Sequence, residues 1–77
     1  MPLFYFDVRD GTGFHRDDFG SECDGFEDAR RQAQSLLPDI VRHELPDGEL
    51  HTVACDVRDE TNRVVYRGKI TFEGSRF

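Results

Sequence analysis

The sequence has no run of about 18 apolar residues, so it lacks a segment able to cross a membrane as a helix. Its first ten residues show neither the positively charged start nor the small-residue cleavage site of a secretory signal peptide. We therefore expect a chain that has no membrane contact and resides in the cytoplasm. Tryptophan is absent, whereas phenylalanine occurs seven times, so the apolar core is expected to be built largely on phenylalanine.

Cysteine is scarce as well, with Cys23 and Cys55 as the two copies and no CxxC pair. This spacing disfavours a structural zinc site, which needs closely spaced ligands. We interpret both residues as small apolar side chains, with a redox or nucleophilic role as the alternative. The sequence also lacks a G-x-S-x-G motif and a phosphate-binding loop. It thus predicts a protein that is not an enzyme and carries no cofactor.

Basic residues are outnumbered, and the net charge is −6. From Asp10 to Asp28 the chain has seven acidic residues and one arginine. Such a segment repels phosphate backbones, so nucleic acid is not an expected partner. Alternatively, residues 15–28 bind a divalent cation through His15, Asp17 and Asp18, although the spacing of an EF-hand is missing. The segment is also typical of a solvated loop followed by the acidic start of a helix.

Alternating apolar and polar residues predict the strands. The first strand covers residues 3–9 and turns at residues 10–13. A short return strand follows at residues 14–16, and residues 21–23 extend it. A last hairpin covers residues 50–72 and turns at residues 59–62, where Asn62 suits a left-handed conformation. In this hairpin Gly68 is expected to leave a gap or a bulge.

One helix is predicted between the two hairpins. Asp24 is the expected N-cap, with Glu27 completing a capping box. Pro38 costs about 3 kcal/mol inside a regular helix, so the helix is expected either to kink there or to restart as a second helix. It should end at residues 45–48. Its apolar residues recur at spacings of three and four and share one face: Phe26, Ala29, Ala33, Leu36, Leu37 and Ile40.

These elements predict an α+β fold of order β-β-α-β-β, in which one helix packs on a four-stranded sheet. Strand order 2-1-3-4 is expected, with the first and third strands parallel across a right-handed crossover. At 77 residues the chain makes one domain, assigned to residues 1–72, with a loose tail at residues 73–77.

The tetrapeptide DVRD occurs twice, at residues 7–10 and 56–59. Each copy ends the first strand of a hairpin, with its valine facing the helix and its last aspartate opening the turn. Neighbouring strands would pair Asp7 with Arg58 or Arg9 with Asp56 as exposed ion pairs, each contributing about 0.2–1 kcal/mol. We interpret the repeat as structural.

One helix covers only one side of a sheet, so the other side is available to a partner. The side chains expected there are Tyr5, Asp7, Arg9, Asp56 and Arg58. A protein partner or a homodimer through this side or a sheet edge is therefore predicted. The sequence favours a protein-interaction or self-association module, with a small-ligand or divalent-metal module using residues 15–28 as the alternative.

The chain also resembles a family of short alphaproteobacterial proteins catalogued as domain of unknown function 6894. The resemblance rests on Tyr5-Phe6, Val8-Arg9-Asp10-Gly11, Asp17-x-x-Gly20-x-Glu22, Ala29 and Ala33 in the helix, and Val57-x-Asp59. It extends over residues 1–72 and implies no activity, cofactor or catalytic residue. Pro38 and the turn at Asn62 depart from the pattern of this family.

Overall fold

A computed structural model describes residues 2–10, 13–44 and 50–77, and gives the backbone alone for residues 43, 44, 50 and 51. The predicted turn at residues 10–13 lies partly outside the described residues, and the predicted helix end at residues 45–48 lies wholly outside them. The α+β class is confirmed. The elements are β1 (Leu3–Asp10), β2 (Gly13–His15), β3 (Ser21–Glu22), α1 (Phe26–Glu44), β4 (Leu50–Arg58) and β5 (Val64–Glu73).

The sheet has the order β2-β1-β4-β5, with β3 also paired to β1. This confirms the predicted 2-1-3-4 order, but the predicted parallel pairing is wrong because β1 and β4 are antiparallel. The reason lies in the return strands: β2 and β3 bring the chain back to the start of β1 before the helix begins. The helix then runs in the direction of β1, and β4 returns against it.

Helix α1 runs through Pro38 without interruption, so it does not restart as a second helix. At its start the backbone N–H of Ala29 donates to the carbonyl of Gly25 at 3.1 Å. The carboxylate of Asp28, and not that of Glu27 as predicted, accepts the N–H of Asp24 at 2.9 Å. No helix among the described residues is long and apolar enough to span a membrane.

The core lies between α1 and the β4–β5 side of the sheet. Small helix residues, Ala29 and Ala33, let the helix approach the sheet closely, and Leu37 fills the space that Gly68 leaves open. Gly68 is therefore the predicted gap. The bulge lies at the start of β5, where the register shifts opposite Arg58. The most deeply buried sheet residues are Val53, Cys55 and Val57.

The ends of the last hairpin follow the sequence closely. Asn62 has a φ of 70°, which confirms the predicted left-handed conformation, and its N–H donates to the carbonyl of Asp59. Strand β5 extends to Glu73, one residue into the predicted tail. The division into a domain at residues 1–72 and a tail stays a prediction.

Candidate interaction surface

The two DVRD copies lie side by side, because Asp7 of β1 is directly opposite Asp56 of β4. Both predicted ion pairs form. Arg58 binds Asp7 through two hydrogen bonds of 2.6 and 3.1 Å, and Arg9 approaches Asp56 at 3.5 Å. The predicted exposure is wrong for Asp7, Asp56 and Arg58, whose exposed fractions are 4%, 4% and 7%, whereas Arg9 is exposed.

The loop between β2 and β3 buries the first pair. Its backbone reaches across the sheet edge, where the N–H of Asp17 donates to Asp7 at 2.9 Å and the carbonyl of Asp17 accepts from Arg58 at 2.8 Å. The guanidinium also lies 4.8 Å from the ring centre of Tyr5 and donates to the side-chain oxygen of Asn62. Burial raises the pKa of Asp7, but the hydrogen bonds from Arg58 and Asp17 outweigh it and leave the pKa below 3.8.

Between the stretches of β1 that pair with β2 and with β3, the carboxylate of Asp17 binds the strand edge in place of a neighbouring strand. It accepts the backbone N–H groups of Phe6, Phe19 and Gly20, each at 3.0 Å. Burial works against ionisation, yet these bonds dominate, so the pKa of Asp17 is lowered. A side chain thus substitutes for the backbone of a missing stretch of edge strand.

The residues of the cation alternative are used separately. Asp17 accepts hydrogen bonds from backbone N–H groups. His15 lies 3.5 Å from Asp10, and Asp18 lies 3.6 Å from Arg16. Within residues 2–10, 13–44 and 50–77, no three His, Cys, Asp or Glu side chains are grouped to hold a metal ion. Cation binding therefore stays a prediction that the arrangement of these side chains does not favour.

Both cysteines belong to the core and have no exposed surface. Burial, followed by the nearby carboxylates, raises the pKa of Cys55 to about 11. Burial likewise raises the pKa of Cys23, whose sulfur accepts a hydrogen bond from Gln32 at 3.3 Å. Because a nucleophilic cysteine needs an accessible thiolate, these environments favour the interpretation as small apolar residues.

A groove of about 600 Å³ runs along one flank of α1. An α-helix is about 10 Å wide and strands are about 4.8 Å apart, so one helix covers roughly two strands. Helix α1 packs mainly on β4 and β5, and Phe6 and Val8 of β1 are only half-buried beside it. Both residues lie on the helix side of the sheet, as predicted for Val8, but the helix covers them only in part. They form the apolar floor of the groove with Leu36.

A smaller hollow of about 290 Å³ adjoins the buried ion pair. Its lining is mainly polar and includes Tyr5, Arg16 and Arg58. The guanidinium of Arg58 already donates to Asp7, to the carbonyl of Asp17 and to Asn62. Arg58 therefore has little unused hydrogen-bonding capacity for a ligand in this hollow.

The sheet surface opposite α1, which we call the uncovered face, has no helix packed on it among the described residues, although the β2–β3 loop lies over Asp7 and Arg58. Of the predicted contact residues, Arg9 is exposed, Tyr5 is half-buried, and the other three are buried. Their interaction role stays a prediction, with Arg9 best placed for it. The centre of this face consists of the three rows of paired residues that cross β4 at Thr52, Ala54 and Asp56. Its exposed side chains are Arg9, Phe14, Thr52, Arg67, Lys69 and Thr71.

Apart from Arg9, these residues are not among the predicted contacts, and three of them carry a charge or an aromatic ring. Phe14 pairs opposite Arg9, whose guanidinium lies 5.3 Å from the ring centre. Arg67 pairs opposite Asp56 and binds it at 2.5 and 3.0 Å, and Lys69 pairs opposite Ala54. Their alternation with apolar residues was visible, but only the antiparallel register shows which of them share a face.

Comparison with known proteins identifies a family. The model of the family described as "Domain of unknown function (DUF6894)" matches residues 3–71. This range begins with β1 and ends within β5, so it includes the buried ion pairs and the uncovered face. No curated protein and no solved structure matches the chain.

Proposed function

Because the chain belongs to the family described as a domain of unknown function (DUF6894), whose description assigns no activity, we propose a function from the surface of the chain itself. We propose that it is a non-enzymatic module that binds another protein through the uncovered face. Membership confirms the resemblance found in the sequence. The alphaproteobacterial origin and the cytoplasmic location stay predictions.

The composition of the uncovered face is the observation that carries this proposal. Its exposed charges at the centre are Arg9, Arg67 and Lys69, all positive, in a chain whose net charge is −6. The two carboxylates in the same rows, Asp7 and Asp56, are buried and paired with arginines. An exposed aromatic ring, Phe14, lies beside these cations. Aromatic and arginine side chains are the ones that most often dominate protein interfaces.

The test is a capture experiment with a matched control. The full chain is immobilised and exposed to a native lysate of cells that express it, beside the double variant Phe14→Ser/Lys69→Ser and the control Arg42→Ser. Arg42 is exposed on α1, far in the fold from the uncovered face. A protein held by the wild type and the control but lost with the double variant supports the proposal after its binding is reproduced with purified components.

Self-association through the same face is the other form of this proposal. Sedimentation of the purified chain at high micromolar concentration distinguishes the two: a dimer lost in the double variant indicates a second copy as the partner. If the captured proteins are the same for all three chains, the proposal that the uncovered face is the interface is wrong.

A second candidate function is small-ligand binding in the groove beside α1, because its apolar floor is flanked by polar groups. The groove borders residues 15–28 through His15 and Ser21. Ser35 is exposed on its helix side, so Ser35→Trp fills it without entering the core. Ligands found by NMR screening should shift the amide signals of His15 and Ser35 and lose affinity in this variant. Melting curves unchanged by divalent ions and chelator would dismiss the metal form of this candidate.

A further inference from the structure

The outer edge of β5 is a long strand edge on which no other described strand pairs. β5 is the last strand in the sheet order, and among the described residues only β4 pairs with it. It has ten residues, whereas β2 and β3 at the opposite edge have three and two. The N–H and C=O groups along such an edge can accept a further strand through main-chain hydrogen bonds.

The side chains along this edge differ between its two sides. On the uncovered face stand Arg67 and Lys69, both exposed. Arg67 shares Asp56 with Arg9, and no residue that the structure describes forms an ion pair with Lys69. On the helix side, Tyr66 and Ile70 are half-buried against the core.

We propose that the outer edge of β5 binds an extended acidic segment of a partner protein, which adds to the sheet as a further strand. This inference rests on the proposed function, and it specifies the chemistry of the partner. In a strand the side chains alternate between faces. The partner segment therefore carries carboxylates opposite Arg67 and Lys69 and apolar side chains opposite Tyr66 and Ile70.

The charge pattern also disfavours a second copy whose β5 pairs about Gly68, the residue between the two cations. Antiparallel pairing of two β5 strands about Gly68 would place Arg67 of one copy opposite Lys69 of the other, and like charges directly opposite are destabilising. Charge complementarity ends further along the strand, because Thr71 is neutral and Glu73 is acidic. The acidic part of the partner segment is thus limited to the positions near Arg67 and Lys69.

The probe is a synthetic octapeptide of alternating Glu and Val, blocked at both ends. Its binding to the full chain is followed by NMR through chemical shifts and amide hydrogen exchange. We expect it to slow the exchange of β5 amides that point outward. A Lys/Val octapeptide should bind much more weakly, because its charges oppose Arg67 and Lys69. A Glu/Val peptide with two central prolines keeps the charge but loses backbone donors, and it too should bind more weakly.

The variant Lys69→Glu tests the charge directly. It should weaken binding of the Glu/Val peptide about five- to tenfold and improve binding of the Lys/Val peptide. Lys69 is exposed and pairs opposite Ala54, so the fold should persist, and a melting curve verifies this. Arg42→Glu changes the net charge equally on α1 and should leave both affinities within twofold.

Several results would overturn the inference: equal binding of both peptides, equal binding of the proline peptide, no protection of β5 amides, or equal weakening by Arg42→Glu. Protection of β5 in a dimer without peptide would also overturn it, since a second copy would then occupy the edge. If the inference fails while Phe14→Ser/Lys69→Ser still abolishes capture, the proposed function stands. If that double variant leaves capture unchanged, the proposed function fails as well.

Discussion

At the scale of single residues, Arg58 holds the two DVRD copies together. Its guanidinium is the buried counter-ion of Asp7 and also binds the carbonyl of Asp17. Removing one partner of a buried ion pair typically costs about 3–5 kcal/mol, because the remaining charge is left without compensation. We expect Arg58→Met to lower the free energy of unfolding by about 3 kcal/mol, measured by urea denaturation at pH 7.

Two variants serve as comparisons for Arg58→Met. Asp7→Leu/Arg58→Met removes both charges and should be more stable than the single variant, because no buried carboxylate is left unpaired. Arg67→Met should be milder, because Arg67 is 58% exposed and Asp56 keeps Arg9. Equal urea midpoints for Arg58→Met and Arg67→Met would show that burial of the first pair has no energetic consequence.

The carboxylate of Asp7 also makes the stability of the fold depend on pH in the acid range. The pKa of Asp7 in the folded chain is below 3.8, so its ionised form stabilises the fold above that value, and the contribution is lost as pH falls through the folded pKa. We expect the urea midpoint of the wild type to decline below pH 3.8. Asp7→Asn should start from a lower midpoint and decline less. Asp39→Asn, an exposed change on α1, should follow the wild-type slope, and a matching slope for Asp7→Asn would contradict this account.

At the scale of elements, Pro38 is a weak point of α1. It lies inside the helix, where it provides no N–H for the carbonyl of Gln34 and its ring opposes the preceding turn. Pro38 is exposed, so Pro38→Ala removes no core contact. We expect it to raise the free energy of unfolding by about 1–3 kcal/mol. Ser35→Ala, one turn earlier, should change it by a few tenths, and an equal effect of both variants would argue against a strained helix.

The contact of α1 with β5 depends on Gly68, which has no side chain. A Cβ at position 68 would lie 3.0 Å from Cδ1 of Leu37, closer than packed carbon atoms normally approach. We expect Gly68→Ala to destabilise the fold by about 1 kcal/mol through overpacking. The penalty should vanish when Leu37→Ala makes room, so a double-mutant cycle gives a coupling energy. Strict additivity of the two changes would show that the close approach is relieved elsewhere.

The elements were largely predictable, whereas their mutual placement was not. The periodicity of apolar residues indicated β1, α1 and the last hairpin, and local turn chemistry indicated Asn62. The antiparallel direction of β4 follows from the return of the chain through β2 and β3, so the predicted parallel pairing failed because it applied the crossover rule across a return strand. The burial of Asp7 and Arg58 depends on Asp17, ten or more residues away in sequence. Long-range contacts of this kind leave no periodic signal in the sequence.

At the scale of the whole molecule, the fold is more extended than a compact domain of the same number of residues. Its radius of gyration is 13.6 Å, compared with about 11.5 Å for a compact domain of this size, and it extends over 50 × 21 × 18 Å. One helix on one layer of strands leaves the uncovered face and the groove beside α1 without a covering element among the described residues. A small domain buries about 60% of its unfolded surface. Burial of either surface against a partner should therefore raise the free energy of unfolding.

This leads to a prediction for thermal unfolding. If the partner is another protein, the melting temperature of the isolated chain should not depend on its own concentration. The Glu/Val octapeptide at tenfold its Kd should add about 1.4 kcal/mol through binding to the folded state, which raises the melting temperature by roughly 6–11 °C. Added salt should reduce this shift because the charges are exposed, and Lys69→Glu should reduce it as well. A melting temperature that rises with protein concentration would instead indicate a second copy of the chain as the partner.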